Sequence, residues 1–288
     1  MDEVVIEDLL GGVLLYAIEK TNNLKKEKEV REVREYAKQF DLKKYGHLTL
    51  IPGYTANGIF DDAIIRPGFT VVKRSGTIID VIKADILEMK RDINTSGTVN
   101  VVIPFNTAFD TKFEEKIGEK TYPIVSINTL HGEWLEYVTE KRLRMNEIDV
   151  KIAASLKHNG FKKCATRICP VGKQDVFPIA SLAVVKVDKM NFYLVAISDF
   201  DEKNKACSNR EHVEKSILSV LDFYDANGQG DDLYIPLIGS GRSRSGMTAK
   251  ESYDLIVGIL KERQNAIYGR VHVVIHPTQY DEINNSDQ

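Results

Sequence analysis

Glycines, hydroxyls and arginines crowd into one stretch of this chain, Pro236-Leu237-Ile238-Gly239-Ser240-Gly241-Arg242-Ser243-Arg244-Ser245-Gly246. Glycines let a backbone approach a phosphate closely and adopt positive φ, and successive N–H groups in such a loop converge on an anion. Ser240, Ser243 and Ser245 add hydroxyl donors, while Arg242 and Arg244 add charge-assisted ones. The chemistry indicated is the holding of a phosphate or similar anion by Gly239, Ser240, Gly241, Arg242, Ser243 and Arg244. No Gly-Lys-Ser/Thr closes the loop, so it is not a Walker A site, and the Gly-x-Gly-x-x-Gly spacing is absent too. A small-residue surface turn with solvated arginines is the competing reading.

A second stretch, Pro104-Phe105-Asn106-Thr107-Ala108-Phe109-Asp110-Thr111, combines polar and aromatic groups. Asn106 and Asp110 can orient ribose hydroxyls, and Phe105 or Phe109 can present a ring face. The same residue types also make ordinary turns through local side-chain to backbone bonds. Asp85-Ile86 closes an apolar run, and Asp85 taken alone reads as a strand-end acid or helix cap. Neither loop holds paired carboxylates of the kind that glycosidic chemistry uses, and Glu114-Glu115 read as solvated. Cys164, Cys169 and Cys207 form neither a Cys-x-x-Cys pair nor a fully paired disulfide set, which suits a reducing, intracellular setting.

Elements to position these loops are legible around them. Apolar, β-branched runs bounded by Gly, Pro, Asn or Asp predict strands over 47–51, 69–72, 77–84 and 99–103. One long helix is expected over 133–158, then a hairpin of 177–187 and 192–198 turning at 188–191. A helix over 209–226 ends at Asn227-Gly228, and strand 233–238, helix 248–261 and strand 270–275 come after it. Strand, loop, helix and strand in that order make a parallel crossover, so the fold class is α/β. The crossover places the Gly/Ser/Arg loop at the carboxyl end of a parallel strand, where α/β sheets bind ligands.

Residues 1–45 differ in texture. Val30, Val33, Ala37 and Phe40 recur at helical spacing within a segment dense in Lys, Glu and Arg, which predicts a charged amphipathic helical extension. Docking on the main domain, self-association into a homo-oligomer and lying on a membrane surface are its possible uses. Asp2, Glu3 and Glu7 stand where an export signal would place positive charge, and the run at 9–18 is too short to span a bilayer. A cytoplasmic, non-membrane protein is expected. The balance of 39 Lys+Arg against 42 Asp+Glu, net −3 over 288 residues, argues against nucleic-acid binding. The segment from 278 to 288 is polar and is expected to fray.

In their order along the chain, Asp85-Ile86, Asn106 and Pro236 to Gly241 resemble the ligand-cleft motifs of a macro domain. With Leu130-His131-Gly132, Phe177-Pro178-Ile179, Asn191-Phe192-Tyr193-Leu194 and Phe200-Asp201-Glu202 added, residues 70–277 are similar to the diverged macro domain of bacterial anti-phage Thoeris effectors of the ThsA type. The resemblance implies a three-layer fold with a mixed, largely parallel sheet over 46–277. It implies a receptor for an ADP-ribose-derived or adenine-dinucleotide signal, made from NAD by a TIR-domain partner enzyme. It places Asp85 and Ile86 at the adenine amino group and the Gly239 to Arg244 loop on the diphosphate. Asn106, Thr107, Phe109 and Asp110 fall near the distal ribose, and His131-Gly132 complete the wall; His131 reads equally well as a packing histidine. No catalytic residue, metal or cofactor is implied. Relatives of this type carry transmembrane helices before the macro domain, and residues 1–45 contain no such span, so membrane disruption is not carried over. ADP-ribosyl hydrolysis and a plain interaction module are the alternatives.

Overall fold

A computed structural model of the chain describes residues 3–7, 14–18, 48–51, 64–74, 76–87, 98–141, 143–168, 171–201, 205–228, 230–241 and 244–285. In chain order the strands are β1 (Glu3–Glu7), β2 (Leu14–Ile18), β3 (Leu48–Ile51), β4 (Ile64–Arg74), β5 (Thr77–Lys83) and β6 (Val99–Asn106). They continue with β7 (Glu114–Ile117), β8 (Lys120–Pro123), β9 (Ala165–Thr166), β10 (Asp175–Val176), β11 (Leu182–Val187), β12 (Met190–Phe200), β13 (Ala206–Cys207), β14 (Leu233–Pro236) and β15 (Gly269–Ile275). The helices are α1 (Leu130–Glu140), α2 (Met145–His158), α3 (Arg210–Asn227), α4 (Ala249–Glu262) and α5 (Pro277–Asn285).

Among the described residues nine strands form the main sheet, in the order β11-β12-β6-β14-β15-β5-β4-β3 with β13 added beside β12. The run β12-β6-β14-β15-β5 is parallel throughout, while β11, β4 and β3 join it antiparallel. The expected α/β architecture is therefore present, mixed and largely parallel. Parallel strands are covered on both faces, and two apolar clusters do this. Val213, Ile217 and Val220 of α3, Ile256 and Leu260 of α4, and Tyr280 and Ile283 of α5 pack on one face. Trp134, Leu135 and Val138 of α1 and Ile148, Ile152 and Leu156 of α2 pack on the other.

Helices α1, α3 and α4 start on side-chain caps. Asn209 Oδ1 accepts from the N–H of His212, and Thr248 with Glu251 forms a capping box at the head of α4. The helix expected over 133–158 is instead two, interrupted at 141–144. Ten residues separate Val138 from Ile148, and in an unbroken helix that spacing leaves the two stripes about 80° apart. Breaking at Lys141, whose N–H turns back to the carbonyl of Tyr137, lets both stripes face the sheet. The hairpin turns on Asp188-Lys189, with Asp188 at φ 53°, two residues tighter than the expected 188–191.

The largest correction is at the C-terminus. Residues 277–285 are helical, with Tyr280 and Ile283 buried, where a frayed tail was expected. Three-residue spacing places both on one helix face, and Pro277 suits the first helical position because its missing N–H has no intrahelical partner anyway. At the other end, β1 and β2 pair as an antiparallel hairpin, with Glu3 opposite Ile18. Their apolar runs, Val4-Val5-Ile6 and Leu14 to Ile18, lie either side of Gly11-Gly12. The amphipathic stripe at Val30, Val33, Ala37 and Phe40 lies outside the described residues. Among the described residues no helix is long and apolar enough to cross a membrane.

Candidate functional site

A cleft of about 1050 Å³ opens at the carboxyl ends of the parallel strands. Residues just past β5, β14 and β15 line it, as do the last residues of β6 and Ile197 and Ser198 near the end of β12. One wall is the segment 123–129 leading into α1. The sheet order explains the grouping: β14 lies between β6 and β15, so the Gly/Ser loop at its end sits between the Asn106 turn and the Asp85 turn.

At the β5 end Asp85 is half-buried, and its Oδ1 accepts from the N–H of Leu87 at 2.8 Å. Ile86 is buried beside it. His276, the first residue past β15, brings its Nε2 to 3.9 Å from Asp85 Oδ2, because the ends of neighbouring parallel strands land side by side. His276 also starts α5, accepting at Nδ1 from the N–H of Thr278.

The central loop is held by its own hydroxyls. Ser245 Oγ donates to the carbonyl of Gly239 at 2.6 Å and accepts from the N–H of Met247 at 3.1 Å, and Ser252 Oγ donates to the carbonyl of Ile238 at 2.7 Å. Gly239 is needed as glycine: its φ is +99°, and a Cβ there would lie 2.5 Å from Met247 Cε and 2.9 Å from Val213 Cγ2. Gln279 of α5 donates from Nε2 to Ser240 Oγ at 2.9 Å, tying the C-terminal helix to the loop. The N–H groups of Ser240 and Gly241 have no partner among the described residues. Arg244, exposed and at φ 56°, lines the cleft alongside them. Arg242 and Ser243 lie outside the described residues.

Asn106 and His131 stand at the opposite end. Asn106 Oδ1 accepts from the N–H groups of Ala108 at 3.0 Å and Asp110 at 3.3 Å. His131 Nε2 bonds the carbonyl oxygen of Asp110 at 2.8 Å, and its ring lies 3.6 Å from that of Phe105. Burial pushes the His131 pKa down to about 3; the bond to Asp110 opposes the shift and the Lys173 charge adds to it. The imidazole is neutral at physiological pH.

Four of the sequence-expected residues do not line the cleft. Thr107 Oγ1 donates to Asp199 Oδ1 at 3.0 Å. Phe109, at φ 52°, packs its ring against Phe105 and Phe177. Asp110 turns its carboxylate away, onto Arg167 Nη1 at 2.8 Å and the N–H of Lys173 at 2.7 Å. Gly132 lets α1 start close against the preceding turn: its N–H donates to Thr129 Oγ1, and a Cβ would sit 2.2 Å from the carbonyl oxygen of Ser126.

Residues to which the sequence reading assigned no ligand contact also line the cleft. Lys205 and Phe200 flank the Asn106 end, and Glu133 and Glu136 lie three apart on α1 along one wall. His276 and Gln279 were readable in principle from strand order, since residues just past β15 must neighbour those just past β5. Among the described residues no cluster of His, Cys, Asp and Glu is arranged to hold a metal ion.

A family model described as Thoeris protein ThsA, Macro domain, matches residues 79–276. The Thoeris protein ThsA of Bacillus amyloliquefaciens (strain Y2) is 29% identical over 171 residues, which is 59% of this chain and 51% of the relative. The chain thus spans about half the length of that curated relative. Among solved structures, the Oceanobacillus iheyensis macrodomain with MES bound superposes with a TM-score of 0.44 at 12% identity, covering 76% of this chain and 95% of its own. The same organism's macrodomain with ADP gives 0.43 at 12%, covering 77% and 96%. On the family match, which takes in both cleft loops and the strands between them, the chain belongs to the Thoeris ThsA macro-domain family.

Proposed function

We propose that the cleft is a receptor site in anti-phage defence, binding an ADP-ribose-derived or adenine-dinucleotide signal that a TIR-domain partner makes from NAD. The observation that carries the reading is the sequence of groups along the cleft. Asp85 stands at one end, the Gly239 to Gly241 loop with two open N–H donors and Arg244 in the middle, and Asn106 with His131 at the other. A carboxylate suits an adenine amino group, converging N–H donors and an arginine suit a diphosphate, and an amide suits a ribose diol. The cavity is at the upper end of the roughly 300–1,000 Å³ usual for small-molecule sites, which suits a ligand with several such parts.

A second reading, ADP-ribosyl hydrolysis, draws on Glu133 and Glu136, whose carboxylates share a helix face on the cleft wall. The two readings part in one experiment. Purified protein is incubated with ADP-ribose, NAD and imidazole-modified ADP-ribose, with thermal stabilisation followed in parallel with chromatography of the nucleotide. Stabilisation rising with ligand concentration and no new product is expected. Conversion of the ligand favours the hydrolase, and no shift with any of the three sinks both readings.

Asp85→Ala is expected to weaken adenine ligands by about 10- to 100-fold, the loss of a hydrogen bond to a charged acceptor. Calorimetric titration with ADP-ribose and its hypoxanthine counterpart, which lacks the amino donor, checks the assignment. Wild type should prefer the adenine form and the variant should not. Equal losses for both ligands would remove Asp85 from the adenine end.

A further inference from the structure

Although the Asp110 side chain faces away from the cleft, its peptide group fixes two side chains that line it. The Asp110 N–H donates to Asn106 Oδ1, and the Asp110 carbonyl bonds His131 Nε2. An N–H cannot donate to an amide NH2, and a carbonyl oxygen cannot donate at all. Asn106 must therefore present its oxygen to the loop and keep Nδ2 as the remaining donor. By the same argument the His131 proton sits on Nε2, which leaves Nδ1 as an acceptor. The hydrogen bond seen for the ring among the described residues is the one at Nε2, and His131, 8% exposed, lines the cleft. Phe105 covers one ring face and Thr129 caps the helix turn that carries it, so the ring is held in place. The Asp110 peptide is fixed in turn by the carboxylate's pairing with Arg167 and Lys173.

We propose that His131 Nδ1 is a specificity determinant of the cleft: it accepts a hydrogen bond from a ligand hydroxyl at the Asn106 end, so the cleft favours a nucleotide ending in a sugar over one ending in a further phosphate. The inference rests on the reading of the cleft as an adenine-nucleotide site. A hydroxyl can donate to His131 Nδ1 while accepting from Asn106 Nδ2. An ionised phosphate has only acceptors, and it would set lone pairs against the Nδ1 lone pair. Because burial keeps His131 neutral, the ring cannot protonate to rescue such a contact.

The test is calorimetric titration of the full chain with ADP-ribose and with ADP, which lacks the terminal sugar. Wild type should bind both. His131→Phe, aromatic but without the acceptor, should lose about tenfold in affinity for ADP-ribose and less than about twofold for ADP. His131→Met, apolar and of similar length, likewise removes the acceptor and should give the same split if the phenylalanine variant folds poorly. Equal losses for both ligands, or unchanged ADP-ribose affinity in either folded variant, overturn the proposal while the receptor reading stands. Wild type that binds neither ligand overturns the receptor reading and this proposal with it.

Discussion

Replacing Asp110 by alanine is expected to destabilise the protein by about 3–5 kcal/mol, the usual cost of stranding one member of a buried ion pair. The side chains of Asp110 and Arg167 are 1% and 4% exposed, and their 2.8 Å contact spans 57 positions of sequence. Asp110 Oδ1 also takes the N–H of Lys173, and Gly172 passes so close that a Cβ there would lie 2.6 Å from that oxygen and 2.5 Å from Arg167 Nη1. The arginine also lies over the Phe200 ring at 4.2 Å, so loss of its partner is felt at the cleft. Urea unfolding measures the effect as a lower midpoint at unchanged slope. Asp110→Ala with Arg167→Met should recover much of the loss, because a buried pair replaced by apolar groups of similar volume costs little. A single variant within about 1 kcal/mol of wild type would show that the pair contributes no more than an exposed salt bridge.

Asp110 also illustrates where motif reading stops. Asn106, His131 and the late glycine loop come together at one end of the sheet because each stands at the end of a strand or the head of a helix. Direction was not legible. Asn106 and Asp110 are four residues apart in one turn, yet one faces the cleft and the other faces Arg167, a residue whose strand-like surroundings gave no hint of a buried charge. Phe105 and Phe109 divide in the same way. Phe109 adopts a left-handed backbone, which sequence patterns for aromatic residues do not announce, and the turn sends its ring into the core beneath the loop. The break between α1 and α2 was hidden because Lys141-Arg142-Leu143-Arg144 are all good helix formers. Packing two stripes on one sheet face overrides that propensity. At the C-terminus, a Pro and a polar composition disguised a helix whose Tyr280 and Ile283 fill the core and whose Gln279 reaches Ser240 of the Gly239 to Gly241 loop.

That loop carries the other large expected effect. Gly241→Glu should abolish nucleotide binding, by about 100-fold or more, while leaving the fold intact. The two halves of the expectation have separate causes. Gly241 is exposed, its φ is not in the left-handed region, and a Cβ built on it meets nothing within 4 Å, so a side chain is tolerated. Surface substitutions of this kind usually stay within about 0.5 kcal/mol of wild type. Gly239, only two residues earlier, would accept no such change, being crowded by Met247 and Val213 and held at positive φ. The binding loss arises because the carboxylate enters the loop beside the open N–H groups of Ser240 and Gly241 and next to Arg244. There it competes for the donors that a diphosphate needs and repels the diphosphate itself. Two like charges about 4 Å apart near a protein surface interact by about 4 kcal/mol before screening, so half of that survives as about 30-fold and competition for the donors supplies the rest. Gly241→Ala adds the methyl group without the charge and should bind within about threefold of wild type, while the melting temperatures of all three proteins agree. Retained affinity in Gly241→Glu, measured by titration with ADP-ribose, would take the diphosphate away from this loop. Since Asp85, Asn106 and His131 were ordered along the cleft on either side of it, their assignments would have to be rebuilt with it.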